Sequence, residues 1–448
     1  MTSVGIVGGG LLGMALAAKL TRQGCRVTVL EAASRSGGLA TPMQIGDYTW
    51  DRFYHVVLLS DGYLRALLDE LGLTPRLHWN PTRTGFYIDG HLRSLSSTLE
   101  FLTFPELGLI DKARLGATIL YASRIRAWQR LESVLASHWL KRWSGPRAWE
   151  HLWQPLLRAK LGENTEVASA AFIWAIIARM YGARRTGMKR ETFGYVEGGY
   201  AAILQRFDEQ LSGMGVESVY DARATQVRGR EGGVQVSMPG GTREFDNVIL
   251  TIPCARVADL CPQLTDAERS RLRAVRYQGV VCAALLLEKP LADYYITNIT
   301  DGRVPFTAVI EMTALVDRRH FGGQALVYLP KYLTQQDPLW NQSDAQIQAE
   351  FLGALERMYP HFKREQVRAF QVSRVREMLA VSTLDYSAKL LPDSRTSVDR
   401  VFIANSSQIA NGTLNVNETL GLADRKAREL APLLLEPRLR SEAPAGAA

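Results

Sequence analysis

The spacing of apolar residues changes twice near the start of the chain. Residues 4–7 form a short apolar run that predicts a strand, residues 11–23 follow a helical spacing, and residues 26–30 predict a second strand. Gly24 is placed to end the helix, because glycine tolerates the left-handed backbone common at helix ends. This order of strand, helix and strand predicts the first unit of a dinucleotide-binding domain.

The turn between the first strand and the helix has the sequence GGGLLG, which is a GxGxxG pattern. Gly8 permits the tight turn, Gly10 lets the backbone approach a pyrophosphate, and Gly13 allows the helix to lie close to the sheet. The free N–H groups at the helix N-terminus attract phosphates. Glu31, after the second strand, can accept hydrogen bonds from the free hydroxyls of a ribose. An acid at this place disfavours NADP, whose ribose is phosphorylated, and leaves NAD and FAD equally open. A glycine-rich turn without a ligand is the structural alternative.

Later segments continue the alternation of strand and helix patterns. Residues 84–95 predict a hairpin around the turn Asp89-Gly90, and helical patterns dominate after it. Residues 167–178 are almost all apolar or small, which predicts a buried helix, with shallow membrane insertion as the alternative. Near the end of the chain, a helix is predicted over residues 419–434.

The composition sets outer bounds on the protein. With 448 residues and 46% hydrophobic residues, the chain is expected to form two domains with ample buried cores. The four cysteines show neither a CxxC pair nor a dense framework, which favours free thiols in a reducing compartment. The first strand begins too early to leave room for a signal peptide, and no apolar run reaches the roughly 18 residues that span a bilayer. We therefore expect a cytoplasmic protein, or one attached to the cytoplasmic membrane face.

Positive charge is concentrated in one segment. Residues 101–190 hold 15 Lys and Arg against 6 Asp and Glu, or +9, whereas the whole chain carries +8. The same segment has six of the nine tryptophans. Basic helices with interleaved tryptophans suit an anionic lipid surface or a phosphorylated substrate. A helical subdomain with solvated arginines and core tryptophans is the structural alternative, and nucleic acid is not expected because no motif for it accompanies the patch.

A second glycine pair, Gly37 and Gly38, follows shortly after Glu31 and is followed by Leu39. Together with the first loop, it resembles the extended fingerprint of FAD enzymes in the superfamily of flavin amine oxidases, protoporphyrinogen oxidases and phytoene desaturases. The resemblance favours FAD over NAD and implies that the backbone passes close to the cofactor at this pair. It extends over nearly the whole chain but does not specify the substrate. No cysteine or histidine follows His361, so the FAD is expected to be noncovalent.

The resemblance also implies further cofactor contacts. Phe53, Tyr54 and His55 fall in the segment that passes beside the isoalloxazine ring, with a hydrogen-bonded core histidine as the alternative for His55. Val227 falls at an edge that meets the adenine through its backbone. Asn405 replaces the aspartate of a Gly-Asp pair and would hydrogen-bond the cofactor, and the helix after it would point its N-terminus at the flavin. The expected cofactor contacts are Gly8, Gly10, Leu11, Leu12, Gly13, Glu31, Ala32, Gly37, Gly38, Leu39, Phe53, Tyr54, Val227, Asn405, Asn415 and Val416.

Four side chains are candidates for contact with a substrate: His55, Arg158, Glu311 and Tyr332. For each one, a structural role is the alternative. Lys160 lies two residues after Arg158, and either cation could hold an anionic substrate group. Amine oxidases often have a lysine near the reactive flavin nitrogen at a position that corresponds to about Cys282 here, so this chain departs from their pattern. We find no Ser-His-Asp arrangement and no clustered metal ligands, and no metal is expected.

The expected fold is α/β, with a Rossmann-like FAD-binding domain around a mostly parallel sheet and a substrate domain of a mixed sheet and helices. The FAD-binding domain is expected to be assembled from residues 1–74, 193–262 and 395–436. The other expected parts are a basic helical insert at residues 75–192, a substrate domain at residues 263–394 and a disordered tail at residues 437–448.

The expected function is that of an FAD-dependent oxidoreductase, whether oxidase, dehydrogenase or desaturase. Hydride would pass from a buried substrate, lipophilic or phosphate-bearing, to the noncovalent FAD. The electron acceptor is left open. One alternative is a flavin-dependent isomerase similar to UDP-galactopyranose mutase, and another is a flavin-bound subunit that sits on a membrane surface without turnover.

Overall fold

Strands and helices alternate along the chain, beginning with the first strand and the helix after it. The computed structural model describes residues 1–96, 100, 103, 105, 107–182, 191–411 and 414–436. The expected disordered tail, residues 437–448, lies outside the described residues. The strands are β1 Ser3–Val7, β2 Arg26–Leu30, β3 Pro42–Ile45, β4 Tyr48–Asp51, β5 Val57–Leu58, β6 Leu77–Pro81, β7 Thr84–Ile88, β8 His91–Ser94, β9 Thr192–Val196, β10 Glu217–Val219, β11 Gln226–Arg230, β12 Gly233–Met238, β13 Gly241–Phe245, β14 Asn247–Leu250, β15 Tyr277–Leu287, β16 Ile296–Ile299, β17 Ala308–Glu311, β18 Ala325–Leu333, β19 Val367–Ala380 and β20 Val401–Ile403.

The helices alternate with these strands and are most numerous between β8 and β9. They are α1 Leu11–Arg22, α2 Gly62–Glu70, α3 Leu109–Arg124, α4 Ala136–Ser144, α5 Pro146–Ala148, α6 Gln154–Leu161, α7 Ala170–Gly182, α8 Gly199–Gly213, α9 Cys254–Leu260, α10 Asp266–Ala274, α11 Asp344–Met358, α12 Tyr386–Lys389 and α13 Val416–Leu434. A π-helical turn, Trp149–Trp153, joins α5 to α6. No helix in the described part of the chain is both long and apolar enough to cross a bilayer.

A five-stranded parallel sheet forms one half of the molecule, with the strand order β10-β2-β1-β14-β20. Its strands come from widely separated parts of the chain, and α1 packs against α13 beside it. All five strands end at the same edge because they run in the same direction. Ligands of such sheets bind outside this edge, so the turns that follow β1 and β2 are well placed for a cofactor. The expected mostly parallel sheet is confirmed.

The second half is built on a seven-stranded sheet with the order β19-β15-β18-β17-β16-β7-β8. All its pairings are antiparallel except that of β7 with β16, so the sheet is mixed, as expected. One face packs against α11 through residues such as Phe351 and Leu355. The other face carries Cys282, Ile310 and Tyr328 and is turned toward residues that follow β4. The sheet is therefore covered on both faces.

The helical insert has its own core, which contains Trp139, Trp149 and Trp153. The apolar run at residues 167–178 forms most of α7, and Phe172 and Ile173 are buried there, so the predicted buried helix is confirmed. Most of the tryptophans in this segment therefore serve packing inside the insert. The bounds predicted for the domains themselves stay predictions.

Two local predictions, the hairpin turn at Asp89 and Gly90 and the start of the last helix, can be compared with the structure. The hairpin β7–β8 turns at Asp89 and Gly90 with φ values of 49° and 82°, as a two-residue type I′ turn requires. The last helix begins at Val416 rather than at residue 419. The cause is Asn415, whose side-chain oxygen accepts a hydrogen bond of 3.0 Å from the N–H of Glu418 and so starts the helix earlier.

Candidate active site

The loop between β1 and α1 contains two kinds of glycine. A Cβ on Gly13 would lie 2.0 Å from the carbonyl oxygen of Gly8, and Gly8 itself has a φ of 114°. The fold therefore requires glycine at both positions. Gly10 is different, because its φ is −68° and the nearest atom to an added Cβ would be 3.8 Å away. The fold leaves open space beside Gly10, which fits a ligand that approaches the backbone there.

The N-terminus of α1 faces the same open space. The first N–H groups of an α-helix have no partner within the helix, and those of Leu11, Leu12 and Gly13 occupy this position. The side chains of Leu11 and Leu12 are buried in the core below. Their backbone N–H groups, rather than their side chains, are thus the groups that fit a pyrophosphate.

Glu31 is held at the end of β2 by two backbone donors. Its Oε2 accepts from the N–H of Gly9 at 2.7 Å, and its Oε1 accepts from the N–H of Ala33 at 2.8 Å. Each carboxylate oxygen has a second lone pair, so the group can still accept hydrogen bonds from the two hydroxyls of a ribose. Ala32 lies between these contacts and is half-buried.

The second glycine pair lies directly against the first loop. The N–H of Gly37 donates to the carbonyl of Gly9 at 2.8 Å, and a Cβ on Gly38 would lie 3.1 Å from the Cα of Gly10. Both glycines have positive φ values, 119° and 58°. Leu39 follows in a short turn and is half-buried. The two loops therefore form one continuous backbone surface at the edge of the sheet.

Two expected cofactor contacts are buried in the protein interior. The Val227 side chain is part of the core beneath β14, and the residue pairs with Val236 of β12. The expected contact of its backbone with adenine stays a prediction. The carboxamide of Asn405 is occupied: its oxygen accepts from the N–H of Ser407 at 3.1 Å, and its nitrogen donates to the carbonyl of Ile252 at 2.9 Å. Asn405 thus ties the ends of β14 and β20 together. The expected hydrogen bond from the Asn405 side chain to the cofactor stays a prediction.

The start of α13 is anchored to the cofactor half of the molecule. Val416 packs on the core around β1, and the side-chain oxygen of Asn417 accepts from the N–H of Tyr63 at 2.9 Å at the start of α2. The helix N-terminus is thereby fixed in position, with Asn415 as its cap. A contact of Asn415 and Val416 with the flavin stays a prediction.

His55 belongs to a polar cluster between the two halves. Its Nδ1 is buried, lies 3.7 Å from Oδ2 of Asp51, and has no hydrogen-bond partner among the described residues. The other oxygen of Asp51 accepts from the N–H of Tyr200 at 2.7 Å, and the rings of Tyr200 and His55 are 4.6 Å apart. A cavity of about 10 Å³, the space of a single water, borders all three. Sequence reasoning missed Asp51, although an acid that ends a short strand was a usable signal.

Tyr54 and Tyr332 form a hydroxyl pair at 2.6 Å. Tyr54 precedes His55, whereas Tyr332 lies on β18, on the same face as Tyr328 and Cys282. We name the group of Tyr54, Tyr295, Tyr328, Tyr332 and Cys282 the tyrosine face. Phe53 packs against the same cluster.

Four groups of the tyrosine face carry no negative charge at neutral pH. Burial raises the pKa of Tyr54 well above its ordinary value, and the neighbouring Tyr332 raises it further. Burial likewise raises the pKa values of Tyr295, Tyr328 and Cys282. These hydroxyls and the thiol therefore keep their protons. The face can offer hydrogen bonds and apolar contact to a substrate, and it suits an uncharged group.

Glu311 does not join the tyrosine face. It pairs with Val327 across β17 and β18, whereas Ile310 pairs with Tyr328, so Glu311 points to the opposite side of the sheet. There its Oε2 accepts from the N–H groups of Leu291 and Ala292 at 3.2 and 2.9 Å. Burial raises the pKa of Glu311 to about 7. Its contacts are those of the structural role given above as the alternative, and a contact of Glu311 with a substrate stays a prediction.

The two cations of α6 differ in their surroundings. Arg158 has a side chain 60% exposed and lies 3.9 Å from Glu166, so the structure does not bring it to the tyrosine face. Lys160 instead places its Nζ 5.2 Å from the centre of the Tyr332 ring. The cation that reaches the candidate site is thus Lys160 rather than Arg158.

The cysteines add no metal centre to this arrangement. All four are buried free thiols. Over the described ranges, no group of three or more His, Cys, Asp or Glu side chains is arranged to hold a metal ion.

Comparison with known proteins agrees with this arrangement. Residues 13–430 match the family described as flavin containing amine oxidoreductase. Carotenoid phi-ring synthase of Streptomyces griseus is 26% identical over 65% of this chain and 60% of its own length. Coproporphyrinogen III oxidase of Mycobacterium bovis is 25% identical over 60% of this chain and 63% of its own length. The chain thus matches about six tenths of the length of these relatives.

A solved structure shares the fold over almost the full chain. It is a putrescine oxidase variant redesigned in its cofactor binding, with a TM-score of 0.75 and 20% identity over 96% of this chain and 99% of its own. At this identity the likeness concerns the fold. The family match covers most of the chain and agrees with the two glycine loops and Glu31. The chain therefore belongs to the flavin containing amine oxidoreductase family, and its cofactor is FAD.

Proposed function

We propose that the protein is an FAD-dependent oxidoreductase that takes hydride from a buried, lipophilic substrate. The observation that carries this proposal is the tyrosine face, where Tyr54 and Tyr332 are joined at 2.6 Å beside buried apolar residues. Tyr54 also lies in the segment expected to pass beside the flavin ring. A substrate held on this face would be enclosed by groups that keep their protons, and water would be excluded.

The side chains of this chain would position the substrate rather than activate it. FAD, when bound, supplies the acceptor for the hydride, which carries both electrons that leave the substrate. The hydroxyl pair of Tyr54 and Tyr332 fixes one wall of the site, and the neutral Tyr328 and Cys282 extend it. The N-terminus of α13, if it points at the flavin as expected, would stabilise negative charge on the reduced ring. Such a site needs no strong base on the tyrosine face.

The names of the curated relatives suggest a substrate class. One relative is a carotenoid ring synthase and another is a coproporphyrinogen oxidase. Carotenoid-like, polyprenyl and porphyrin-type molecules are therefore the substrates we propose to try first. The apolar composition of the tyrosine face favours such molecules over small polar amines.

The proposal can be tested with anaerobic protein loaded with FAD. Addition of the true substrate should bleach the absorbance of the oxidised flavin, and air or a quinone should restore it. Turnover that occurs only after chemical reduction of the flavin would favour the isomerase instead. A flavin that responds to no candidate, in a protein that still binds liposomes, would favour the subunit without turnover.

We also propose that the helical insert rests on an anionic lipid surface. At the start of α3, Leu109 and Ile110 are 77% and 78% exposed. Tyr121, later in the same helix, stacks on the exposed Trp143 with ring centres 4.3 Å apart. The surrounding segment carries +9 by sequence, which complements anionic headgroups. The cytoplasmic face of a membrane stays the predicted location.

Vesicle sedimentation tests the lipid surface. Binding to vesicles of phosphatidylglycerol should exceed binding to phosphatidylcholine and should weaken with salt. The double variant Leu109→Ser, Ile110→Ser should lose most of the binding. Leu435→Ser, which changes an exposed leucine at the end of α13, is the matched control. Equal binding by the double variant and the wild type would contradict the proposal.

A further inference from the structure

Helix α6 carries a lysine to the edge of the tyrosine face. The hydroxyl of Thr307 donates to the carbonyl of Ala159 at 2.8 Å, which fastens the last turn of α6 to the residue just before β17. The next residue, Lys160, extends over Tyr332 with its Nζ 5.2 Å from the ring centre. The backbone next to Lys160 is therefore anchored by Thr307, and the ammonium lies within cation–π distance of an aromatic ring.

Lys160 is not neutralised by an acid of the described chain. The ion pairs found among the described residues include Arg158 with Glu166, but none includes Lys160. The Lys160 side chain is half-buried, so it has lost part of its contact with water. A cation in this setting gains from an anionic partner that comes from outside the protein.

Tyr54, Tyr332 and Lys160 lie in this order along the site, so an anionic partner of Lys160 would lie at the end of the site far from the flavin segment. Tyr54 lies on the segment expected beside the flavin, its hydroxyl meets that of Tyr332 at 2.6 Å, and Lys160 lies over the ring of Tyr332. The uncharged part of a substrate would contact the tyrosines, and a charged end would reach the lysine. A substrate with one apolar and one anionic end therefore fits the tyrosines and the lysine at the same time.

We propose that Lys160 binds an anionic group, either a carboxylate or a phosphate, at one end of an otherwise apolar substrate. This inference rests on the proposed function and narrows its substrate class. Lys160 would set the orientation of the substrate, so that the reacting carbon faces the flavin and the anionic end lies away from it. Lys160 is thus a specificity-determining residue, and it takes no part in hydride transfer.

The test uses FAD-loaded protein and three probes with the same alkyl chain: octanoate, octyl phosphate and octanol. Binding is measured by calorimetry and by the shift of the flavin absorbance bands. Wild type should bind the better of the two anions about tenfold more tightly than octanol, as expected for one charge-assisted hydrogen bond. The anion that binds more tightly identifies the group as a carboxylate or a phosphate.

Two variants connect this preference to Lys160. Lys160→Gln should bind all three probes with similar affinity, whereas Lys160→Arg should keep the preference for anions. Arg158→Gln, which removes an exposed cation from the same helix, should behave like wild type. A wild type without preference for anions, or a Lys160→Gln variant that keeps it, would overturn the inference.

The same samples separate this inference from the proposed function. A failure of the proposed function would appear as a flavin that no candidate substrate reduces in either protein. A failure of the inference would appear as equal anion binding in wild type and Lys160→Gln, whether or not the flavin is reduced. Calorimetry gives this second result without turnover.

Discussion

The cofactor half and the substrate half of this protein build their sites in opposite ways. Around the loop after β1, the groups that fit the cofactor are mostly backbone N–H groups, and the side chains of Leu11 and Leu12 are buried in the core. On the tyrosine face, the groups that fit a substrate are side chains such as Tyr54 and Tyr332 from distant parts of the chain. A backbone site depends on a few glycines in a fixed spacing. A side-chain site depends on how the strands are paired.

The largest effect is expected from Gly10→Ala, which tests the backbone site. An added methyl group has no protein atom closer than 3.8 Å, so the fold should be unchanged, but the methyl would occupy the space of the pyrophosphate. The purified variant should contain almost no FAD and should unfold in urea like wild-type apoprotein.

The matched control is Gly116→Ala, at a glycine of α3 where an added Cβ meets nothing within 4 Å. It should retain a full load of FAD. A Gly10→Ala protein with a full load would show that the open space beside Gly10 is not the place of the cofactor.

Gly13→Ala should act on the stability of the fold, in contrast to Gly10→Ala in the same loop, which should act on cofactor binding. Its methyl group would lie 2.0 Å from the carbonyl oxygen of Gly8, so the backbone must shift. We expect a loss of about 3 kcal/mol or more in the free energy of unfolding, because the clash is with backbone in a packed core. Urea unfolding of the apoprotein measures it, and a stability equal to that of Gly10→Ala would contradict the distinction.

Glu311→Gln should change the pH dependence of stability. The pKa of Glu311 is raised from 4.5 to about 7 in the folded protein, so between these values the folded state binds more protons than the unfolded state. The wild type should therefore lose about 2 kcal/mol of stability as pH rises from 5 to 7 through this group. In Glu311→Gln, which has no carboxyl group to titrate there, the free energy of unfolding should not show this loss.

Urea unfolding at pH 5 and pH 8 gives the difference for each protein, and Glu288→Gln, an exposed acid paired with Arg368, is the control. Identical pH dependence in wild type and Glu311→Gln would show that this carboxyl is not buried as described.

Tyr332→Phe should have a smaller effect on the tyrosine face. Tyr54 and Tyr332 are both half-buried, so either Tyr332→Phe or Tyr54→Phe leaves one half-buried hydroxyl without its protein partner and should lower the free energy of unfolding by about 1 kcal/mol. The double variant should lose less than the sum of the two single losses, because both single variants break the same hydrogen bond. Urea unfolding measures the three losses, and losses that add fully would contradict the hydroxyl pair.

The backbone site was predictable from the sequence because its signals are local. The GxGxxG spacing, Glu31 and the pair Gly37-Gly38 all fall within one continuous stretch, and the structure brings them to one edge of the sheet. Asn415 also had a local signal, an asparagine three residues before a glutamate, but the helix was placed too late.

The side-chain site was less predictable because its signals are not local. All four residues of β17 are buried, so alternation along the strand could not show which face Glu311 occupies. Asn405 resembled a cofactor ligand, yet its amide donates to Ile252, a residue far away in sequence. Arg158 and Lys160 lie two positions apart on α6, so they point to different sides of the helix. Which of them reaches the candidate site depends on where α6 packs against β18, and only Lys160 lies over Tyr332 of that strand.

The cofactor half is expected to hold FAD by backbone contacts and without a covalent bond. The most direct test is the absorption spectrum of the purified protein before and after acid precipitation. We expect a flavin spectrum in the native protein and all of the flavin, as FAD, in the supernatant. Flavin that stays in the precipitate would contradict noncovalent binding, and a colourless protein that cannot be loaded with FAD would contradict the cofactor site itself.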